Sequence, residues 1–98
     1  CLVFAVSASG GAVTTVEGLC KPDGSMGVLQ DSFCETHGLQ CGYCTPGMVM
    51  ATCSMLKDNP RPTVDEVRHG LNGNLCRCTG YAQIVESVLD ASEKMHGN

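Results

Sequence analysis

Eight cysteines in a chain of 98 residues are the feature that most restricts the fold. A chain this short buries a modest apolar core, so a covalent or metal staple is expected to support it. Four of the cysteines form two close pairs, Cys41 with Cys44 and Cys76 with Cys78, whereas the others stand alone. Disulfide frameworks scatter their cysteines among loops, so the close pairs favour a metal site over disulfide bonds.

Charge and hydropathy argue against several other classes of protein. The net charge is -4, and the chain has no basic run and no Trp, which argues against nucleic acid or an anionic membrane as partner. No apolar run approaches the ~18 residues of a membrane span. The chain starts at Cys1 and opens directly on the apolar run CLVFAV, so we expect a longer natural chain. We expect a cytoplasmic protein, with the periplasm left open because a leader could precede Cys1.

Turn signals and apolar periodicity predict a short β-hairpin followed by helices. Residues 1–16 place apolar and β-branched stretches around the turn-rich SASGG, which predicts a hairpin. Two strands alone are marginal in water, so this hairpin is expected to be the remnant of an absent sheet domain. A connector over 17–27 follows, and helical patterns cover residues 28–37, 46–58, 63–69 and 80–95.

Each predicted helix has an end signal and an apolar face. Gly38 is expected to end the first helix, Thr45 to cap the second and Thr79 to cap the fourth. TVDE over 63–66 predicts a capping box at the third. The side chains expected to face inward are Leu29, Phe33, Met48, Val49, Thr52, Cys53, Met55, Leu56, Val64, Val67, Tyr81, Ile84, Val85, Val88, Leu89 and Met95.

The helical region consists of two similar halves. HGLQCGYCTPG over 37–47 and HGLNGNLCRCTGY over 69–81 each place a cysteine pair ahead of a predicted helix. We therefore predict an all-α, four-helix bundle-like domain, with two longer and two shorter helices related by pseudo-twofold symmetry. The two cysteine pairs are expected to meet near the pseudo-twofold axis.

The spacing of the pairs, C-x2-C and then C-x-C, limits which kind of metal centre the cysteines can bind. Soft thiolates select zinc or iron–sulfur centres. Zinc sites usually place two or more residues between paired ligands, whereas a binuclear cluster accepts more pair geometries. Spacing therefore favours an iron–sulfur centre, with a zinc-stapled helical interaction module as the alternative. A thioredoxin-like dithiol is disfavoured because the βαβ context is missing. Helix N-termini and Arg77 are expected to stabilise the anionic sulfurs.

The remaining cysteines have no partner motif. Cys34 and Cys53 fall on predicted helices, where a free cysteine is expected to act as a small buried hydrophobe. The three histidines lie near predicted helix C-termini, where a protonated imidazole complements the helix dipole. No histidine ligand is required, since four paired cysteines already complete a site.

The stretches TTVEGL, HGLQCGYCTPGM and GNLCRCTGY together carry a resemblance over essentially the whole chain. The chain resembles the small iron–sulfur subunit, or domain, of the molybdenum hydroxylases, the family of xanthine dehydrogenase, aldehyde oxidoreductase and aerobic carbon monoxide dehydrogenase. The resemblance implies a [2Fe–2S] cluster held by Cys41, Cys44, Cys76 and Cys78. It also implies that Gln40 and Cys78 contact the molybdopterin cofactor of a large partner subunit.

The same resemblance implies the electron-transfer subunit of a multi-subunit oxidoreductase, with the substrate chemistry on another subunit. Electrons would pass from the molybdopterin towards a second cluster and then to a flavin, which a medium subunit would bind. In the family that second cluster lies in an N-terminal plant-ferredoxin-like domain, whose C-x4-C-x2-C run is missing here. Cys1 matches that domain's fourth ligand. Residues 1–18 are thus expected to be its last hairpin, and 19–98 the helical [2Fe–2S] domain. A standalone electron carrier is a weaker alternative.

Overall fold

The structure, a computed structural model, describes residues 2–96 and places four α-helices in them. They are α1 (Val28–Glu35), α2 (Thr45–Asp58), α3 (Val64–Gly70) and α4 (Ala82–His96). Short and long helices alternate, with 8, 14, 7 and 15 residues. The all-α fold with two longer and two shorter helices is confirmed, while its pseudo-twofold symmetry stays a prediction. Within these residues, every helix is too short or too polar to cross a bilayer.

The β-hairpin predicted for residues 1–16 is wrong for the part that the structure describes. Residues 2–16 contain a 3-10 helix, Ala5–Ala8, and no strand. Leu2, Phe4 and Val13 are each at least 75% exposed. Two strands without further partners gain too little from pairing and burial to stay extended, which explains the difference. Cys1 lies outside the described residues, and the division into 1–18 and 19–98 stays a prediction.

The core lies where α1 crosses α4, with α2 and α3 packed beside them. Its fully buried apolar residues are Leu29, Phe33, Met48, Val49, Leu56, Val67, Leu71, Ile84, Val85, Val88 and Ala91. Most of these are positions that the helical periodicity predicted. Val64 and Met95 were also predicted to face inward, but their side chains are 40% and 45% exposed. Val64 is the first residue of α3, and burial along α4 ends at Ser92, so both side chains lie at helix ends outside the core.

The helix ends agree with the capping signals at α3 and depart from them elsewhere. Thr63 Oγ1 accepts the Glu66 N–H at 3.2 Å, and Glu66 Oε1 accepts the Thr63 N–H at 2.9 Å, so the capping box is confirmed. α2 begins at Thr45, one residue before the prediction. α4 begins at Ala82, two residues after it. Thr79 therefore lies outside the helix that it was predicted to cap.

α1 ends in a Schellman motif whose left-handed residue is His37, with φ 58°, and not the predicted Gly38. The Gly38 N–H donates to the Phe33 carbonyl at 2.8 Å, and the His37 N–H donates to the Cys34 carbonyl at 3.3 Å. These two bonds define the motif. Gly38 follows the cap and is buried against α4.

Candidate metal centre

Two loops of the bundle carry the paired cysteines to one cleft. The loop that ends at α2 holds Cys41 and Cys44, and the loop between α3 and α4 holds Cys76 and Cys78. All four cysteines line the same cleft, whose volume is about 440 Å³. The fold therefore brings together the two repeated segments, as the sequence predicted.

The four cysteines are neighbours across the two loops. Cys76 affects the pKa of the Cys44 thiol, and Cys41 affects the pKa of the Cys78 thiol, so each of these pairs takes one cysteine from each loop. Within residues 2–96, no three Cys, His, Asp or Glu side chains converge as ligands of a single metal ion. Tetrahedral zinc needs four ligands around one point, whereas a [2Fe–2S] centre spreads four thiolates over two irons. Four thiolates at one cleft are a ligand set for a [2Fe–2S] centre and also for zinc.

Burial and hydrogen bonds shift the pKa values of three of the thiols, and not all in the same direction. Burial, and next a hydrogen bond with Cys76, raises the pKa of the Cys44 thiol to about 11. Hydrogen bonds from the side chain and the N–H of Thr79 lower the pKa of Cys76 to about 7. A hydrogen bond with the Cys41 side chain raises the pKa of Cys78. Cys44 is the N-cap of α2. A bound cation would deprotonate coordinating thiols outright.

Donors from the two loops already point at two of the sulfurs. The Tyr43 N–H donates to Cys41 Sγ at 3.4 Å. The Thr79 N–H donates to Cys76 Sγ at 3.4 Å, and Thr79 Oγ1 lies 3.1 Å from the same sulfur. Such donors stabilise a metal-bound thiolate. The sequence predicted Thr79 only as a helix cap. Its place directly after the second cysteine of CRC was the signal that could have revealed this role.

The cysteine loops lie inside a segment that matches a known protein family. The family model described as "[2Fe-2S] binding domain" matches residues 15–89. The chain belongs to the [2Fe–2S] binding domain family. All four paired cysteines, Gln40 and both HGL repeats fall within the matched segment. The match weighs against the zinc-stapled alternative.

Relatives of this [2Fe–2S] binding domain include subunits of a hydroxylase and of a dehydrogenase. The nicotine 6-hydroxylase small subunit of Paenarthrobacter nicotinovorans is 50% identical over 91 residues, which cover 93% of this chain and 54% of that subunit. A probable xanthine dehydrogenase subunit of Bacillus subtilis is 41% identical over 97 residues, which cover 99% of this chain and 55% of that protein. The chain thus spans about half the length of these relatives.

Two solved structures contain the same fold as this [2Fe–2S] binding domain. Quinoline 2-oxidoreductase from Pseudomonas putida 86 matches with a TM-score of 0.86 and 45% identity, over 98% of this chain and 60% of that one. Aldehyde oxidoreductase from Desulfovibrio gigas matches with a TM-score of 0.90 and 33% identity, over 98% of this chain and 11% of that one. These matches confirm the resemblance to the iron–sulfur part of the molybdenum hydroxylases.

The rim of the cleft exposes both polar and apolar side chains. Gln40 and Arg77 line the cleft and are exposed to solvent. Tyr43 and Leu75 line it too, and they are 93% and 86% exposed. Large apolar side chains grouped at an exposed site are typical of surfaces that bind a partner. We call this exposed rim, formed by Gln40, Tyr43, Leu75 and Arg77, the contact face.

The unpaired cysteines of the described residues lie outside this cleft. Cys53 is half-buried beside the core, close to the prediction. Cys34 is exposed, so the prediction that it is buried is wrong. The core side of α1 carries Leu29, Ser32 and Phe33, and Cys34 follows about 100° further around the helix. Its sulfur faces Met26 Sδ at 3.9 Å.

Proposed function

We propose that Cys41, Cys44, Cys76 and Cys78 hold a [2Fe–2S] cluster, and that the chain is the electron-transfer subunit of a molybdenum hydroxylase. The observation that carries the proposal is the convergence of the four cysteines on one cleft within a [2Fe-2S] binding domain. A bound [2Fe–2S] cluster supplies one-electron redox chemistry at a potential that its surroundings set. The chain's own part is to fix the position of the sulfurs and to donate hydrogen bonds to them.

The contact face is the surface on which we place a large, molybdopterin-bearing subunit. Gln40 and Cys78 would contact the molybdopterin, and Tyr43 and Leu75 would become buried against the same subunit. The names of the relatives support a multi-subunit assembly, since two of them are called subunits of a hydroxylase and a dehydrogenase. The chain would receive electrons from the molybdopterin and pass them towards a second cluster and a flavin-binding subunit.

We propose that the second cluster lies in another part of a longer protein to which this chain belongs. Residues 1–18 would be the last part of a ferredoxin-like domain, in which Cys1 is a ligand. In that domain the exposed Leu2, Phe4 and Val13 would be covered by further strands. We place the protein in the cytoplasm, where cysteines that lack disulfide bonds remain reduced. Outside the four proposed ligands, Cys20, Cys34 and Cys53 form no disulfide bond, which fits that compartment.

Anaerobic purification followed by spectroscopy tests the cluster. We expect a visible spectrum of an oxidised [2Fe–2S] centre, two irons and two acid-labile sulfides per chain, and an EPR signal after one-electron reduction. Cys76→Ser should lose these signals and much of the folded structure, because metal binding and folding are coupled. Cys34→Ser is the matched control, since this exposed thiol lies outside the cleft. A colourless protein with one zinc ion would contradict the proposal.

Gln40→Ala tests the molybdopterin contact in the assembled enzyme. The variant should keep the visible spectrum, because Gln40 is exposed and supplies no thiolate. We expect slower reduction of this cluster when substrate is mixed with the holoenzyme under anaerobic conditions. Gln83→Ala, an exposed glutamine on α4, is the matched control. Equal reduction rates in Gln40→Ala and in the parent would refute a functional contact between Gln40 and the molybdopterin.

A further inference from the structure

The segment that follows Cys76 folds back onto its own sulfur. Thr79 Oγ1 lies 3.1 Å from Cys76 Sγ, and the Thr79 N–H donates to the same sulfur at 3.4 Å. One residue thus places two donors on one sulfur. By contrast, Cys41 Sγ receives a single N–H, from Tyr43.

The direction of the hydroxyl bond follows from the protonation state of the cysteine. The Tyr81 N–H donates to Thr79 Oγ1 at 3.0 Å. That oxygen is therefore an acceptor on one side, and its own proton is free to point to the sulfur. A metal-bound cysteine is a thiolate without a proton. Between Thr79 and a metal-bound Cys76, the hydroxyl is then the donor.

Tyr81 forms hydrogen bonds with both Cys76 and Thr79. The Cys76 N–H donates to Tyr81 Oη at 2.9 Å, so the same residue binds the backbone of the cysteine and the side chain of the threonine. Tyr81 has a φ of 73°, a left-handed conformation that is rare for an aromatic residue. Such strain persists only where surrounding contacts impose it, and it is common at functional sites.

The first repeat lacks an equivalent bond. Thr45 follows Cys44 as Thr79 follows Cys78. Within residues 2–96, however, the Thr45 hydroxyl is buried without a hydrogen-bond partner. The two threonines are alike in sequence context and differ in whether the hydroxyl reaches a sulfur.

We propose that Thr79 is a positioning residue that raises the reduction potential of the cluster by donating its hydroxyl proton to Cys76 Sγ. One-electron reduction adds negative charge to the sulfurs and forms or breaks no covalent bond in Thr79. A donor to sulfur therefore stabilises the reduced form more than the oxidised form. The inference rests on the cluster assignment proposed above.

The test is an EPR-monitored redox titration of the holoenzyme carrying Thr79→Val, Thr79→Ser or Thr45→Val. Thr79→Val keeps the shape and removes the hydroxyl, and we expect about a tenfold lower equilibrium constant for reduction, or about 59 mV for one electron. Thr79→Ser should titrate like the parent because it keeps the donor. Thr45→Val is the matched control and should also titrate like the parent.

The outcomes separate this inference from the proposed function. A parent enzyme without a [2Fe–2S] spectrum overturns the cluster assignment. A Thr79→Val enzyme that keeps iron, sulfide and the parent potential overturns only the role of Thr79. Thr79→Ala serves as a second variant that removes the hydroxyl. If both hydroxyl-free variants fail to assemble the cluster while Thr79→Ser assembles it, the hydroxyl acts on assembly and the inference is wrong.

Discussion

Replacing Gly38 by alanine should destabilise the bundle at the contact between the end of α1 and α4. A Cβ atom at this position would overlap Ser87 Oγ, and it would lie 3.0 Å from Phe33 Cδ2 and 3.2 Å from Ser87 Cβ. Phe33 and Ser87 are both fully buried, so neither can swing into solvent to make room. Relief requires a shift of one helix relative to the other.

The size of the stability change in Gly38→Ala follows from two opposing contributions to the free energy of unfolding. Overpacking a well-filled core costs about 1–3 kcal/mol. Replacing glycine by alanine restricts the unfolded chain and recovers about 0.4–1 kcal/mol. The net expectation for Gly38→Ala is a loss of about 1–2 kcal/mol in the free energy of unfolding. For a domain of this size that loss lowers Tm by about 4–16 °C.

Gly70 supplies the control, because it occupies the same place in the second HGL repeat. The three atoms nearest to a Cβ atom there all belong to the Met55 side chain, with Cε at 2.5 Å and Sδ at 3.0 Å. The end of a methionine side chain can move to another rotamer at a cost of about 1 kcal/mol. Alanine recovers about as much through its helix propensity, so Gly70→Ala should leave Tm nearly unchanged.

The assay is thermal unfolding of the cluster-loaded protein, followed by circular dichroism at one fixed scan rate. The double variant Gly38→Ala/Ser87→Ala should lose less stability than the two single variants lose in sum. The reason is that Ser87→Ala removes the oxygen that the new Cβ atom overlaps. A Gly38→Ala protein that melts with the parent would refute the packing argument. So would a Gly70→Ala protein that melts as early as Gly38→Ala.

Three further predictions concern the core and the α3 cap. Met48→Ala should lower the free energy of unfolding by about 2–5 kcal/mol, because Met48 is fully buried. Urea denaturation checks this, and Met95→Ala, at 45% exposed, should stay within about 0.5 kcal/mol of the parent. Thr63→Ala should cost about 1 kcal/mol in the same assay through loss of the capping bond. Hydrogen bonds from the N–H and hydroxyl of Thr63 lower the pKa of Glu66 below its ordinary 4.5. The stability from this carboxylate is thus present above about pH 4.5 and is lost as the pH falls, so Glu66→Gln should flatten the acid side of a urea-midpoint profile.

The helices were predictable because their signals are local. The 3.6-residue period placed Phe33, Met48 and Ile84 in the core, and the Thr63 capping box fixed the start of α3 within one turn. The absence of strands from residues 2–16 was not predictable from the sequence. A β-branched segment forms a strand only when further strands pair with it. Apolar composition alone does not reveal whether those partners are present.

The candidate site was predictable in its residues and less so in its geometry. Close spacing placed Cys41 beside Cys44, but spacing within one loop does not show which cysteine of the other loop each will meet. The cross-loop pairing of Cys44 with Cys76 depends on how α2 and α4 are oriented in the bundle. The bonds from Thr79 depend on the left-handed turn at Tyr81, a conformation that the sequence does not favour.

The two repeated segments are therefore alike in sequence and unlike in physical role. Gly38 is required for close packing against Ser87, whereas the nearest side chain at Gly70 is a flexible methionine. Thr45 is the first residue of a helix, whereas Thr79 stays outside its helix because α4 begins later, at Ala82. That delay leaves room for the turn that returns the Thr79 hydroxyl to Cys76. An exact repeat would have placed both threonines in helices, with neither hydroxyl on a sulfur. The difference between the two segments thus gives Cys76 Sγ a hydroxyl contact from Thr79, whereas the Thr45 hydroxyl has no hydrogen-bond partner among residues 2–96.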